Sequence, residues 1–69
     1  MKLSTRNNLK GTIKKIELGT VNAEITLEIA PGIEVVSVIT KSSATRLGLG
    51  EGKVAYALMK ATDVAVAVD

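Results

Sequence analysis

The sequence predicts an all-β fold: a five-stranded OB-like barrel with one short helix between strands 3 and 4, assembled as an oligomer. Three observations lead there. From Val21 to Ile29 apolar and polar residues alternate without a break, as in a strand with one buried and one wet face. Along the chain, the signals run strand, strand, strand, short helix, strand, strand, the element order of an OB-type barrel. Finally, 46% of the residues are hydrophobic although there is no Phe or Trp and only a single Tyr, so the apolar surface is Val, Ile, Leu and Ala, the residues of layered sheet.

Each element has its own local cause. Between Asn8 and Leu18 the apolar positions Leu9, Ile13, Ile16 and Leu18 change parity across Lys14-Lys15, the signature of a strand with a bulge or sharp bend, and Gly11 fits the same bend. Gly19-Thr20 makes a turn into the alternating strand. Ala30-Pro31-Gly32 turns tightly, because proline presets φ and glycine accepts positive φ, and Ile33–Thr40 returns as the second arm of a hairpin. Lys41–Leu47 reads as the short helix, with Thr40 or Ser42 available as its cap and Gly48 placed to end it. After the loop Leu49-Gly50-Glu51-Gly52, Lys53–Lys60 and Val64–Val68 are apolar runs expected to be the fourth and fifth strands. Unbroken runs of this kind need cover on both faces, and one layer of sheet in so small a chain leaves part of them for another subunit.

The 69 residues form one expected domain, 1–69, near the lower size limit for a self-sufficient core, since such a chain buries only ~60% of its unfolded surface. With no cysteine or histidine, neither disulfides nor the usual zinc sites are available to supplement the core, and self-association remains. Nine Lys and Arg against seven Asp and Glu give a net charge of +2, too mild to argue for DNA binding. No apolar run approaches the ~18 residues of a membrane span, and Lys2 opens no signal-peptide pattern. A cytoplasmic location is expected, in keeping with the absence of cysteine.

Chemistry concentrates in three short segments: Ser4-Thr5-Arg6-Asn7-Asn8, Thr40-Lys41-Ser42-Ser43-Ala44 and Lys60-Ala61-Thr62-Asp63. They are rich in hydroxyl, amide and cationic donors with no activated nucleophile, base or soft metal ligand beside them. The sequence contains no Ser-x-x-Lys or glycine-elbow motif to activate a hydroxyl, and Glu24 and Glu28, alternating on one strand face, read as solvating acids, so no enzyme is expected. Tyr56 is the lone aromatic and sits in an apolar run, which leaves single-stranded nucleic acid without a stacking platform. Lys10, Lys14 and Lys15 read as solubilising strand lysines. A tetrahedral dianion, by contrast, offers only acceptors. It needs convergent hydroxyls, N–H groups and one or two cations, with no carboxylate in the shell. Arg6 and Lys60 can supply the charge, Ser4, Thr40 and Ser43 the hydroxyls, and the helix beginning near Ser42 free N–H groups.

Several segments together resemble one known family. The opening Ser4-Thr5-Arg6-Asn7-Asn8-Leu9-Lys10-Gly11 resembles the S-A-R-N-Q-L-K-G start of the molbindins, the small molybdenum-pterin-binding proteins. Val21-Asn22-Ala23-Glu24-Ile25, Val38-Ile39-Thr40, Leu47-Gly48-Leu49 and Lys60-Ala61-Thr62-Asp63-Val64 continue the match in the family's order over nearly the whole chain. The resemblance implies a non-enzymatic domain that holds molybdate, or tungstate, between subunits of a homo-oligomer, a hexamer arranged as a trimer of dimers. By motif the ligands fall on Ser4, Arg6, Thr40, Ser43 and Lys60, with the backbone N–H groups of Ala44 and Ala61 as further donors. Departures occur at Asn8, where glutamine is usual, Thr5, where alanine is usual, and Ala61, where several relatives have serine and one hydroxyl is therefore missing. The bare oxyanion is expected with no organic cofactor, because no aromatic platform awaits a pterin ring. No nucleic acid or membrane partner is expected. The rival reading from the same residues is an OB-type interaction module for a protein or nucleic-acid partner.

Overall fold

The computed structural model describes residues 1–69. β1 (Asn7–Leu18), β2 (Asn22–Ala30), β3 (Ile33–Thr40), α1 (Lys41–Arg46) and β4 (Val54–Met59) follow one another, and a 3-10 turn at Ala61–Asp63 comes after them. The strands form one antiparallel, four-stranded sheet in the order β3-β2-β1-β4. β1 divides its length between two partners: Asn7–Thr12 pairs with Met59–Val54 of β4, and Thr12–Leu18 pairs with Glu28–Ala23 of β2. The change of parity in the sequence corresponds to a register shift between Ile13 and Lys15. The bulge turns Lys14 outward to Glu28, 3.8 Å away, while Ile13 and Ile16 both keep their side chains toward the core.

That core is small. Ile13, Ala23, Ile25, Leu27 and Ala44 form it, with Ile16, Ile29, Ile39, Leu49 and Ala55 packed against them. Ile13 is 1% exposed and is its largest fully buried side chain. α1 closes one end of the core through Ala44, and its termini are both capped. Thr40 Oγ1 accepts from Ser43 N at 3.0 Å, and at the other end Gly48 N donates to Thr45 O and Leu49 N to Ala44 O. This double closure requires a left-handed residue at Gly48, whose φ is 63°.

The expected fifth strand is absent from the sheet. Val64–Val68 makes no strand pairing, and Val66 and Val68 are 89% and 93% exposed. Its alternation of Val and Ala satisfies strand propensity, but a strand exists only against a partner edge. A 3-10 turn at Ala61–Asp63 ends the run of β4, and the segment beyond it pairs with no edge of its own sheet. Hence the architecture is a curled open sheet of four strands rather than a closed five-stranded barrel. Apolar surface is left outside: Val36 and Val38 on β3, and Val54, Tyr56 and Leu58 on β4. The accessible area is 5457 Å², against the roughly 4,100 Å² that size scaling assigns to a compact monomer of 7.2 kDa.

Gly11 marks where β1 and β2 approach most tightly. A Cβ built there would lie 2.8 Å from Glu28 O and 2.8 Å from Ile29 Cδ1. Because one of those atoms is backbone, Gly11→Ala must displace the β1–β2 pairing. We expect a loss of about 1–3 kcal/mol, read as a fall in the urea midpoint at unchanged slope.

Candidate anion-binding site

The expected ligands form two groups. At the start of β1, Ser4 and Arg6 meet Lys60 and Ala61 at the end of β4, because the pairing of Asn7 with Met59 brings the flanking residues together. Ser4, Thr5, Arg6, Lys60, Ala61 and Thr62 line an open pocket of about 240 Å³. None is acidic. Arg6 and Lys60 have no carboxylate within ion-pair distance, whereas Lys14 and Lys15 engage Glu28 and Glu17, and Lys53 Nζ donates to Gly48 O at 3.0 Å. Two like charges across one pocket repel, which an anion between them relieves. Thr5 and Thr62 were not among the expected ligands. The only sequence signal for them was a hydroxyl adjacent to residues already singled out.

The second group lies at the start of α1. Thr40 Oγ1 is 2.8 Å from Ser43 Oγ and also accepts from Ser43 N. Two hydroxyls that share one O–H···O bond retain one further proton, which is available to an acceptor outside the protein. Ala44 is buried, with its side chain in the core. Thr40 thus caps the helix, and the alternative cap Ser42 instead lines a shallow surface with Thr20, Val21, Lys41, Thr45 and Arg46.

These two groups do not meet within one chain. Thr40 is paired with Asn22 at the start of β2, next to the Leu18 end of β1, whereas Ser4, Arg6, Lys60 and Ala61 flank the Asn7 end. The backbone of β1 between those ends is about 36 Å long at ~3.3 Å per residue, a contour that the bulge shortens. No cavity is lined by members of both groups. Of the other residues weighed in the sequence, Glu24 lies opposite Glu17 and Glu28 opposite Glu34 on the sheet, and Tyr56 lies opposite Lys10.

Fold and donor groups define a class: small, open-sheet β domains whose polar clusters offer hydrogen-bond donors and cations in place of a catalytic pair. The chain belongs to the TOBE-domain family, among the small molybdenum-pterin-binding (Mop) proteins. The TOBE domain matches residues 3–66. A probable molybdenum-pterin-binding protein of Haemophilus influenzae is 44% identical over the full length of both chains. MopA of Rhodobacter capsulatus is 43% identical over 67 residues, and the chain spans 25% of its length. Among solved structures, a molybdate-binding protein from Sporomusa ovata superposes with a TM-score of 0.91 at 43% identity, covering 99% of this chain and 100% of that one. The cytoplasmic molybdate-binding protein ModG, in a molybdate-bound form, gives 0.83 at 49% identity, over 88% of this chain and 43% of its own.

The cap itself is open to test. Thr40→Ala removes the acceptor for Ser43 N and should destabilise the fold by about 1 kcal/mol in urea unfolding, whereas Thr40→Ser, which keeps the hydroxyl, should retain most of the stability.

Proposed function

We propose that this protein binds molybdate, or tungstate in its place, reversibly and without catalysis, at sites completed by two copies of the chain. One copy supplies Ser4, Arg6, Lys60 and the N–H of Ala61, and the other Thr40, Ser43 and the N–H of Ala44. The observation that carries this is the unpaired Arg6 and Lys60 over a hydroxyl-lined, carboxylate-free pocket, in a chain whose full-length relatives are named for molybdenum binding. A dianion in that pocket gains two charge-assisted contacts and loses no attraction to a neighbouring acid. The distance between the two donor groups supports a shared site, since neither group alone surrounds a tetrahedral anion.

Assembly follows from the same surface. The exposed Val54, Tyr56, Leu58, Val36 and Val38, together with the excess of accessible area, support cover by further copies. A hexamer built as a trimer of dimers is the state the family resemblance implies. An anion held between copies stabilises the assembled form by mass action, about 2.7 kcal/mol at a ligand concentration one hundred times Kd. The role that fits is buffering or storage of molybdenum in the cytoplasm, the compartment named for ModG.

Calorimetric titration with molybdate, in competition with sulfate, tests the ligand. Arg6→Gln and Lys60→Met should each weaken binding by about tenfold or more, as expected for the loss of one hydrogen bond to a charged group. Mixing tests the sharing. Arg6→Gln and Ser43→Ala chains, each impaired alone, should recover intact sites when unfolded and reassembled together, because the undamaged half of each copy then meets the undamaged half of the other. A mixture that binds no better than either variant alone would mean that each site belongs to a single chain.

A further inference from the structure

We infer that the Thr5 hydroxyl is a ligand to the anion and takes the place of the hydroxyl that Ala61 does not provide. This rests on the reading that the pocket at Arg6 and Lys60 holds molybdate. Thr5 and Ala61 line the same pocket, just beyond the last pair of the β1–β4 ladder, Asn7 with Met59. It is half-buried, while Ser4, Arg6, Lys60, Ala61 and Thr62 around it are exposed. Its hydroxyl makes no hydrogen bond within the protein, although the Thr40 and Thr45 hydroxyls both do. No buried side-chain oxygen in the fold lacks a partner, so the Thr5 hydroxyl is open to the outside and free to donate to an anion held beside the two unpaired cations. The side chain is also suited to the task. Threonine is β-branched and stiff at χ1, so its hydroxyl is held in place before the ligand arrives.

The position matters for what the pocket can supply. Residue 61 has only a methyl side chain, so the hydroxyl-bearing residues that line the pocket are Ser4, Thr5 and Thr62. Thr5 sits between Ser4 and Arg6 in the chain and lines the pocket with both. Its loss would leave Ser4 as the only hydroxyl contributed by the chain start.

The test is calorimetric titration of molybdate into wild type, Thr5→Val, Thr5→Ser and the double variant Thr5→Val/Ala61→Ser, with assembly mass checked by light scattering. Valine matches threonine in shape and removes only the hydroxyl, so Thr5→Val should bind about tenfold or more weakly at unchanged mass. Thr5→Ser should stay within a few-fold of wild type, and Ala61→Ser should restore most of the binding that Thr5→Val loses. Equal binding by wild type and Thr5→Val overturns the inference, as does an equal loss in Thr5→Val and Thr5→Ser, which marks a packing role. A double variant no better than Thr5→Val overturns the substitution of one hydroxyl for the other. A wild-type protein that takes up no molybdate overturns the reading beneath, and with it this inference.

Discussion

β1 hydrogen-bonds to β4 through its first half and to β2 through its second, with the exchange of partners at Thr12 and the bulge immediately after. A sheet whose central strand changes neighbours midway must coil, and Gly11 gives the coil room by letting the backbone of Glu28 come close. The core follows from that curl, because the inward side chains of β1 and β2 converge on Ile13, and α1 seats Ala44 over the remaining gap. The placement of the polar groups follows as well. Because β4 pairs with one end of β1 and β2 with the other, the cationic donors and the helix-cap hydroxyls flank opposite ends of that strand.

Much of this was legible in the residues. The alternation of Val21–Ile29 marks β2 to within a residue, and Ile33–Thr40 coincides with β3. The parity change at Lys14-Lys15 locates the bulge, because a side-chain period of two leaves no other way for both Ile13 and Ile16 to face inward. The short helix was visible through its punctuation, Thr40 before it and Gly48 after it. Val64–Val68 misled for a physical reason: β-branched alternation reports a preference for extended backbone, but pairing depends on where a free edge stands, and that is a property of the folded assembly of strands. In the same way Ser4, Arg6, Lys60 and Thr40 could be chosen by the donors they carry. Their division between the two ends of β1 depends on strand order, which no short motif encodes. Thr5 stands in the opening motif at a place where alanine is usual, and a single exchange of that kind carries no signal of a role.

The electrostatic character of the pocket is set by omission as much as by what it contains. Seven acidic residues are available, and several are directed elsewhere: Glu28 and Glu17 to lysines on β1, Glu24 and Glu34 to the outer sheet face. Arg6 and Lys60 keep their full field for a visitor. On the proposed two-chain reading, selection among tetrahedral dianions of like charge rests on size, which depends on how closely the two donor groups approach one another.

A chain with complementary half-pockets at its opposite ends is directional, like a link with a hook and an eye. On the two-chain reading, every closed arrangement of such links, whether a reciprocal pair or a ring, contains as many complete pockets as chains, while any open string leaves one hook and one eye unfilled. Stoichiometry would therefore report closure: one anion per chain distinguishes a finished assembly from a fragment of one.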